Sequence, residues 1–364
     1  MTRRDFIGHA AAAAVLAAPG SLRAEGAAAD WKPAARWRGF NLLGMFRCPT
    51  TGLAPDPRVD GFFPEWEFKA LHDWGFNFAR LPIDYRILVR GDSWTNLDEG
   101  QLAKVDAAIA FGRRYGIHVQ VALHRIPGYC ILDETEAFPL GTSPLAQAAA
   151  CEMWAALAKR WKGVPNEVLS FNLFNEPTRH TAGANYLPLC RKLIKAIRDV
   201  DPGRFIMVDG NECSAEPVPG LYGVPSLGQA FRGYTPHVVT HFGADFIKGL
   251  PKEPPTWPLA DGYPGPAWAC CSPEATVAKY QSALDAGEFC MVGEFGCRAS
   301  TPHAVALAWM EHCLRLWQSK NLGWALWNLK GVFGVLDSGR ADVAYEDFNG
   351  HQLDRKMLEL MRRY

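Results

Sequence analysis

The sequence predicts a single (β/α)8 barrel, and three observations carry that prediction. Short apolar, strand-like runs alternate with helix-like segments along most of the chain, the pattern of a parallel sheet with crossover helices. Eight such runs recur at steps of roughly 30–50 residues, enough for a strand, a helix and two loops. No Gly-x-Gly-x-x-Gly turn follows the first run, so the main sequence mark of an open nucleotide-binding sheet is missing.

The strand-like runs begin near Gly39, Phe76, His118, Val168, Phe205, Val238, Phe289 and Gly323. Helix-like segments fill the intervals. The first covers 65–74. The second covers 96–115 and opens with the capping pattern Asn96-Leu97-Asp98-Glu99. Ser143-Pro144, Ser272-Pro273 and Thr301-Pro302 each place a hydroxyl cap before a first-turn proline. The 184–200 segment is the clearest amphipathic helix, with Leu189, Leu193, Ile194 and Ile197 at helical spacing. A weaker helix is expected around Leu227 to Phe231, after the fifth strand, and a last one over 353–362. Gly75, Gly116, Gly163 and Gly287 close helices. The Pro- and Gly-rich loops 210–227 and 249–268 follow strands five and six, on the face where such barrels keep their chemistry.

The first 29 residues read as an address rather than as part of the barrel, which is expected over 30–364. Arg3-Arg4 precedes an alanine-rich apolar stretch from Ala10 to Ala18, the pattern of a twin-arginine export signal. The stretch is too short for a permanent membrane anchor. A periplasmic or secreted protein is therefore expected. Composition is that of a globular protein: 364 residues, 48% hydrophobic, 21% charged. Lys+Arg and Asp+Glu number 38 each, and no basic patch argues for nucleic acid. A neutral partner such as a sugar chain suits that balance, and a monomer is expected. The ten cysteines show no zinc-type spacing. Cys151, Cys190, Cys290 and Cys313 sit in apolar runs and read as small buried hydrophobes.

Polar residues at the C-terminal ends of barrel strands are the candidates for catalysis. In chain order these are Asn41, Arg80, His124, Asn175 with Glu176, His241, Glu294 and Trp327. Two glutamates ending two different strands can break a glycosidic bond, one protonating the leaving oxygen while the other attacks the sugar carbon. Arg80 would hold one of them ionised. Asn175 would bond the sugar 2-hydroxyl, and Trp327 would stack on the ring. Core roles compete for Arg80, His124, His241 and Trp327. Asp133, Glu134 and Glu136 read as a solvated loop face. No metal or organic cofactor is expected, because two carboxylates suffice. A metal-dependent hydrolase would instead use His124 and His241, and a non-catalytic glycan-binding barrel would need neither glutamate.

These residues are also where the chain resembles glycoside hydrolase family 5, the cellulase-type family of retaining (β/α)8 enzymes. The matching pieces are Arg38-Gly39-Phe40-Asn41, Arg80-Leu81-Pro82, His124 with Pro127-Gly128, Asn175-Glu176-Pro177, His241, Gly293-Glu294-Phe295-Gly296 and Trp327. They span about 38–330, with the second glutamate 118 positions after the first. The resemblance implies that Glu176 is the acid/base and Glu294 the nucleophile. It implies a β-linked glucan or a related polysaccharide or oligosaccharide as substrate, with mannan and terminal β-glycosides as alternatives. It also implies a tyrosine two positions after the sixth-strand histidine, in contact with the nucleophile, where this chain has Gly243. Either another residue supplies that contact or the match slips locally.

Overall fold

The computed structural model describes residues 30–47, 61–91, 93–131, 137–178 and 185–364. The expected export segment, Cys48, and the loop residues Asp133, Glu134 and Glu136 lie outside the described residues.

Eight parallel strands close into one barrel: β1 (Arg38–Asn41), β2 (Phe78–Asp84), β3 (His118–Arg125), β4 (Leu169–Asn172), β5 (Ile206–Asp209), β6 (Leu227–Gly233), β7 (Phe289–Phe295) and β8 (Gly323–Leu326). β8 returns to pair with β1, Arg38 opposite Trp324, which leaves no free edge. Seven of the eight strands fall where the sequence puts them. A small antiparallel hairpin, β9 (Glu346–Phe348) with β10 (His351–Leu353), lies outside the barrel.

The longer helices are α1 (Glu65–Asp73), α2 (Glu99–Tyr115), α3 (Pro144–Arg160) and α4 (Tyr186–Arg198). Four short ones follow: α5 (Asn211–Ser214), α6 (His237–Thr240), α7 (Pro273–Lys279) and α8 (Gln281–Asp285). The set ends with α9 (His303–Ser319) and α10 (Arg355–Arg362). Side-chain caps mark four of these ten starts among the described residues. Ser143, Ser272 and Asp354 accept hydrogen bonds from the amides of Ala146, Ala275 and Met357. α2 begins later than its capping pattern suggests, because Asp98, not Asn96, accepts the Gln101 amide at 3.1 Å. Gly116 ends α2 at φ 66°, a conformation that favours a residue without Cβ. Thr301 does not cap α9. Its hydroxyl donates to the Val239 carbonyl at 2.6 Å, and the helix starts only at His303.

Two neighbouring elements differ from expectation. Leu227–Phe231 is not a helix but most of strand β6, and Val238 lies in the short helix α6. The run Val238-Val239-Thr240 is β-branched and strand-like in composition, while Gly228 and Gly233 interrupt the apolar pattern of 227–233. The structure shows why those glycines are there. A Cβ on Gly228 would meet Met207 Sδ at 2.6 Å, and one on Gly233 would meet the Trp317 ring at 2.7 Å. Gly228 admits Met207 inside the barrel and Gly233 admits Trp317 of α9 outside it, so neither marks a turn.

The outer faces of the strands pack beneath the helices in one large apolar cluster, including Leu81, Val121, Phe171, Val208, Phe231, Val292 and Trp324. A second cluster fills the barrel's N-terminal end: Trp37, Phe78, Phe205, Met207, Ala230, Met291 and Ala325. Each large side chain buried in this way contributes about 1.5–3 kcal/mol. Among the described residues, no helix is long and apolar enough to cross a membrane.

Candidate active site

Side chains on a strand alternate between faces, so a residue two places beyond an inward-pointing one also points inward, one layer higher. This rule builds the site. Above Phe78 sits Arg80, above Met207 Asp209, above Ala230 Arg232, and beyond Ala325 comes Trp327. Glu294 breaks the rule, because two places above Met291 is Gly293. A register shift between β6 and β7 inserts one residue, with Phe231 paired to Val292 but Arg232 to Glu294. That bulge turns Glu294 inward. Gly293 is needed beside it, since a Cβ there would lie 2.9 Å from Arg232 Nη1.

Arg80, 1% exposed, is held by four partners. Its Nη1 donates to Glu294 Oε1 at 2.7 Å and to Asn41 Oδ1 at 2.9 Å. Nε donates to Asn172 Oδ1 at 3.0 Å and Nη2 to Asn175 Oδ1 at 2.9 Å. Asn41 is fixed in turn by donating to the carbonyls of Gly293 and Leu326. A second arginine, Arg232, spans both glutamates. Its Nε donates to Glu176 Oε1 at 2.7 Å, and its Nη2 lies 3.3 Å from Glu294 Oε1. The same Nη2 donates to Asn175 Oδ1 at 2.8 Å and bonds Asp209 Oδ2. Tyr234 donates its hydroxyl to Glu294 Oε2 at 3.1 Å.

Glu176 follows β4 in a left-handed backbone conformation, φ 45°, which a non-glycine residue adopts at a cost. Three bonds hold it there. Its amide donates to Asp209 Oδ2 at 2.9 Å, its carbonyl accepts the Tyr129 hydroxyl, and its carboxylate accepts Arg232.

The two glutamates sit in different electrostatic settings. Burial and then the Glu294 charge raise the Glu176 carboxyl to about 7, against the opposing pull of Arg232. Glu294 takes hydrogen bonds from Arg80 on one oxygen and from Tyr234 on the other. Burial alone would weaken the charge of Arg232, but Asp209, Glu294 and Glu176 outweigh it and hold the guanidinium charged. Burial, followed by Arg80, Arg125 and Arg232, keeps His124 neutral. One group that releases a proton near neutrality thus stands beside a carboxylate held by two donors. That is the equipment for acid/base work coupled to nucleophilic attack.

The cleft wall opposite is aromatic. The rings of His124 and Trp327 stack at 5.5 Å, and Phe46 packs edge-on to both. Trp327 is half-buried and follows β8 through a cis peptide to Asn328. Around this cleft four buried polar atoms have no partner among the described residues: Asn175 Nδ2, His124 Nδ1, Arg232 Nη1 and Asn328 Oδ1. Such atoms suit a ligand rich in hydroxyl groups.

Asn41, Arg80, Asn175, Glu176 and Glu294 are therefore one bonded cluster, with His124 and Trp327 beside it. His241 does not belong to it. It caps α6 rather than ending a strand, bonds Thr240 through Nδ1, and reaches the cluster only by ring contact with Tyr234 at 5.0 Å. Burial, His237 and Arg298 lower it to about 3. Gly243 likewise lies outside the cluster, and the tyrosine that bonds Glu294 is Tyr234. Three site residues escape the sequence reading: Arg232, Tyr234 and Asp209. Arg232-Gly233-Tyr234 has the spacing of the anticipated pair, with arginine in the histidine's place. Asp209 ends the apolar run 205–208 as Glu294 ends its own. The described cysteines are free thiols, with Cys190, Cys290 and Cys313 buried as expected and Cys151 half-buried. Among the described residues, no three His, Cys, Asp or Glu side chains group to hold a metal ion.

Comparison with known proteins agrees with this fold. A solved structure of a glycoside hydrolase is 32% identical and superposes with a TM-score of 0.78, covering 90% of this chain and 99% of the other. Endoglucanase C of Acetivibrio thermocellus is 24% identical over 316 residues, 80% of this chain and 91% of that protein. Cellodextrinase A of Ruminococcus flavefaciens is 26% identical over 218 residues, 58% of this chain and 62% of its own length. The family model for cellulase, glycosyl hydrolase family 5, matches residues 67–332, and the chain belongs to that family.

Proposed function

We propose that the protein is an exported enzyme that hydrolyses β-linked glucan or oligosaccharide with retention of configuration, with Glu176 as acid/base and Glu294 as nucleophile. Glu294 attacks the anomeric carbon while Glu176 protonates the departing oxygen. The glycosidic bond breaks and a glycosyl ester forms on Glu294. Glu176, now a carboxylate, takes a proton from water as that water attacks the same carbon, and the ester bond's electron pair returns to Glu294. Asn175 presents Nδ2 to the sugar 2-hydroxyl, and Trp327 stacks on the ring.

One observation carries this reading. Arg232 bonds Glu176 and lies within ion-pair distance of Glu294, so both carboxylates face one small space, with only Glu294 also held by Arg80 and Tyr234. The names of the relatives, an endoglucanase and a cellodextrinase, favour β-glucan over mannan or a terminal β-glycoside. Proton NMR of the first-formed sugar tests the mechanism. A β-linked substrate gives a β-product if Glu294 forms a covalent ester, and an α-product overturns the assignment. A panel of β-glucan, β-mannan and aryl β-glycosides, with products resolved by size, tests the substrate.

Export rests on Arg3-Arg4 and the alanine-rich stretch behind them. Changing both arginines to lysine is expected to leave the precursor in the cytoplasm. Normal export of that double variant rules out the twin-arginine route.

A further inference from the structure

The two arginines make the site a closed charge system, and its bookkeeping assigns Arg232 a task. Arg80 and Arg232 face the carboxylates of Glu294 and Asp209. With Glu176 protonated, two positive charges meet two negative ones, and the cluster is neutral. When Glu294 attacks, its charge is consumed in the ester, and the proton of Glu176 leaves on the departing alcohol. Glu176 is then a carboxylate beside Asp209, and two negatives again meet two positives. The cluster is neutral in both resting states of the cycle, a condition that buried charges require.

Resting on the roles proposed for Glu176 and Glu294, we infer that Arg232 is the positioning residue that switches Glu176 from acid to base. It bonds the Glu176 carboxylate directly and reaches Glu294 with the same guanidinium, so it feels the charge of both. Before attack, Glu294 competes for that positive charge, so Arg232 offsets only part of the rise that burial and Glu294 impose on Glu176. After attack, Glu294 is an uncharged ester, and Arg232 is free to stabilise the ionised form of Glu176. A neutral histidine in this place would leave one carboxylate uncompensated in each state. Arginine stays charged at every working pH, so the switch does not itself titrate.

The other groups facing Glu176 do not supply this. Asp209 from β5 is negative and bonds the Glu176 amide. Burial and the neighbouring cations hold His124 from β3 neutral, and burial and the two glutamates hold the Tyr234 hydroxyl protonated. Tyr129 and Cys213 are both pushed upward, by burial first and by the Glu176 charge among the rest, so each faces Glu176 as a neutral group. Arg80 from β2 donates to Glu294 and Asn175, with no bond to Glu176.

The test compares wild type with Arg232→Gln and Arg232→Lys, each first shown to fold by circular dichroism and thermal melting. The probes are aryl β-cellobiosides with a poor or a good leaving group. In Arg232→Gln the basic limb of kcat/KM for the poor leaving group is expected to move upward by roughly one pH unit or more, because an opposite charge has gone. With the good leaving group, which needs no acid, a burst of phenol is expected to grow as ester breakdown slows. Arg232→Lys keeps the charge but loses the fork. Its rate is expected to fall with the limb in place, and this comparison stands alone if the Gln variant does not fold. An unmoved limb in Arg232→Gln, or an equal shift in Arg232→Lys, overturns the proposal. Trapping wild type with a 2-deoxy-2-fluoro glycoside separates the two levels: failure to label Glu294 sinks the roles themselves, while labelling with an unmoved limb sinks only the switch.

Discussion

At the N-terminal end of the barrel, Phe78, Met207, Ala230 and Ala325 close the interior together with Trp37 and Phe205. Two residues further along the same strands, Arg80, Asp209, Arg232 and Trp327 line a polar cleft. Both ends contain buried histidines, and the contrast between them is instructive. His118 below stacks on Trp37 at 4.1 Å, and its two nitrogens meet Ser170 Oγ and the Glu167 carbonyl. His124 above stacks on Trp327 but keeps Nδ1 without a partner among the described residues. Below, every contact closes the interior and the alternation serves stability. Above, charge is concentrated, the backbone is held at a positive φ, and polar atoms are left for a ligand.

The sharpest way to break this comparison is to remove one charge above. Glu294→Gln is nearly isosteric: its one carbonyl oxygen can still accept from Arg80, while its amide nitrogen takes the place of the oxygen that accepts from Tyr234. Hydrolysis is expected to fall by about a thousandfold or more, as loss of a covalent nucleophile demands, while the protein still unfolds in one cooperative step. A variant that retains more than about a tenth of wild-type kcat removes Glu294 from the chemistry. Arg80, bonded to three asparagine side chains as well, keeps enough partners to stay in place.

The counterpart below is Trp37→Ala. This ring packs against Phe78, His118, Phe205 and Phe289, and it is 5% exposed. Its loss is expected to destabilise the fold by about 3–5 kcal/mol, the usual range for a large aromatic truncated in a core. The kcat of the folded fraction, measured well below the melting point, is expected to stay within about twofold of wild type. A parallel collapse of kcat in folded protein would show that the two ends are mechanically coupled.

What the sequence made legible divides along the same line. Strands rich in β-branched or aromatic residues, such as β3 with Val119 and Val121, announce themselves wherever they lie. β6 does not, because Gly228 and Ala230 leave space inside the barrel, while Gln229 and Gly233 on its outer face serve a buried polar contact and the close approach of Trp317. Gln229, for example, is fully buried and exchanges hydrogen bonds with the backbone of Val218 at 2.8 and 3.2 Å. With β6 hidden in this way, Arg232 and Tyr234 are hidden with it, and His241 stands in the sequence where a sixth-strand residue is expected. The glutamates were legible because each ends an apolar run. The bulge that aims Glu294 and the third carboxylate at Asp209 were not, since register and cross-strand charge pairing appear only once the barrel closes.

The finest test uses pH, because the two ends respond in opposite senses. His118 is lowered from 6.5 to about 3, chiefly by burial. Between those values the unfolded chain binds a proton that the folded chain refuses, so this group makes stability fall as pH falls. Glu176 is raised from 4.5 to about 7. Between those values the folded chain keeps a proton that the unfolded chain releases, so this group makes stability fall as pH rises. From about 4.5 to 6.5 the two contributions oppose each other and flatten the wild-type profile. Glu176→Gln removes the upper contribution, and its melting temperature is expected to climb more steeply with pH across that window than wild type does. His118→Gln removes the lower one, and its melting temperature is expected to decline with pH relative to wild type. The slopes are the readout, not the absolute stabilities, since each substitution also changes packing. Two variants with wild-type slopes would mean that neither group changes protonation on unfolding in this window. The contrast between the two ends would then be one of shape alone.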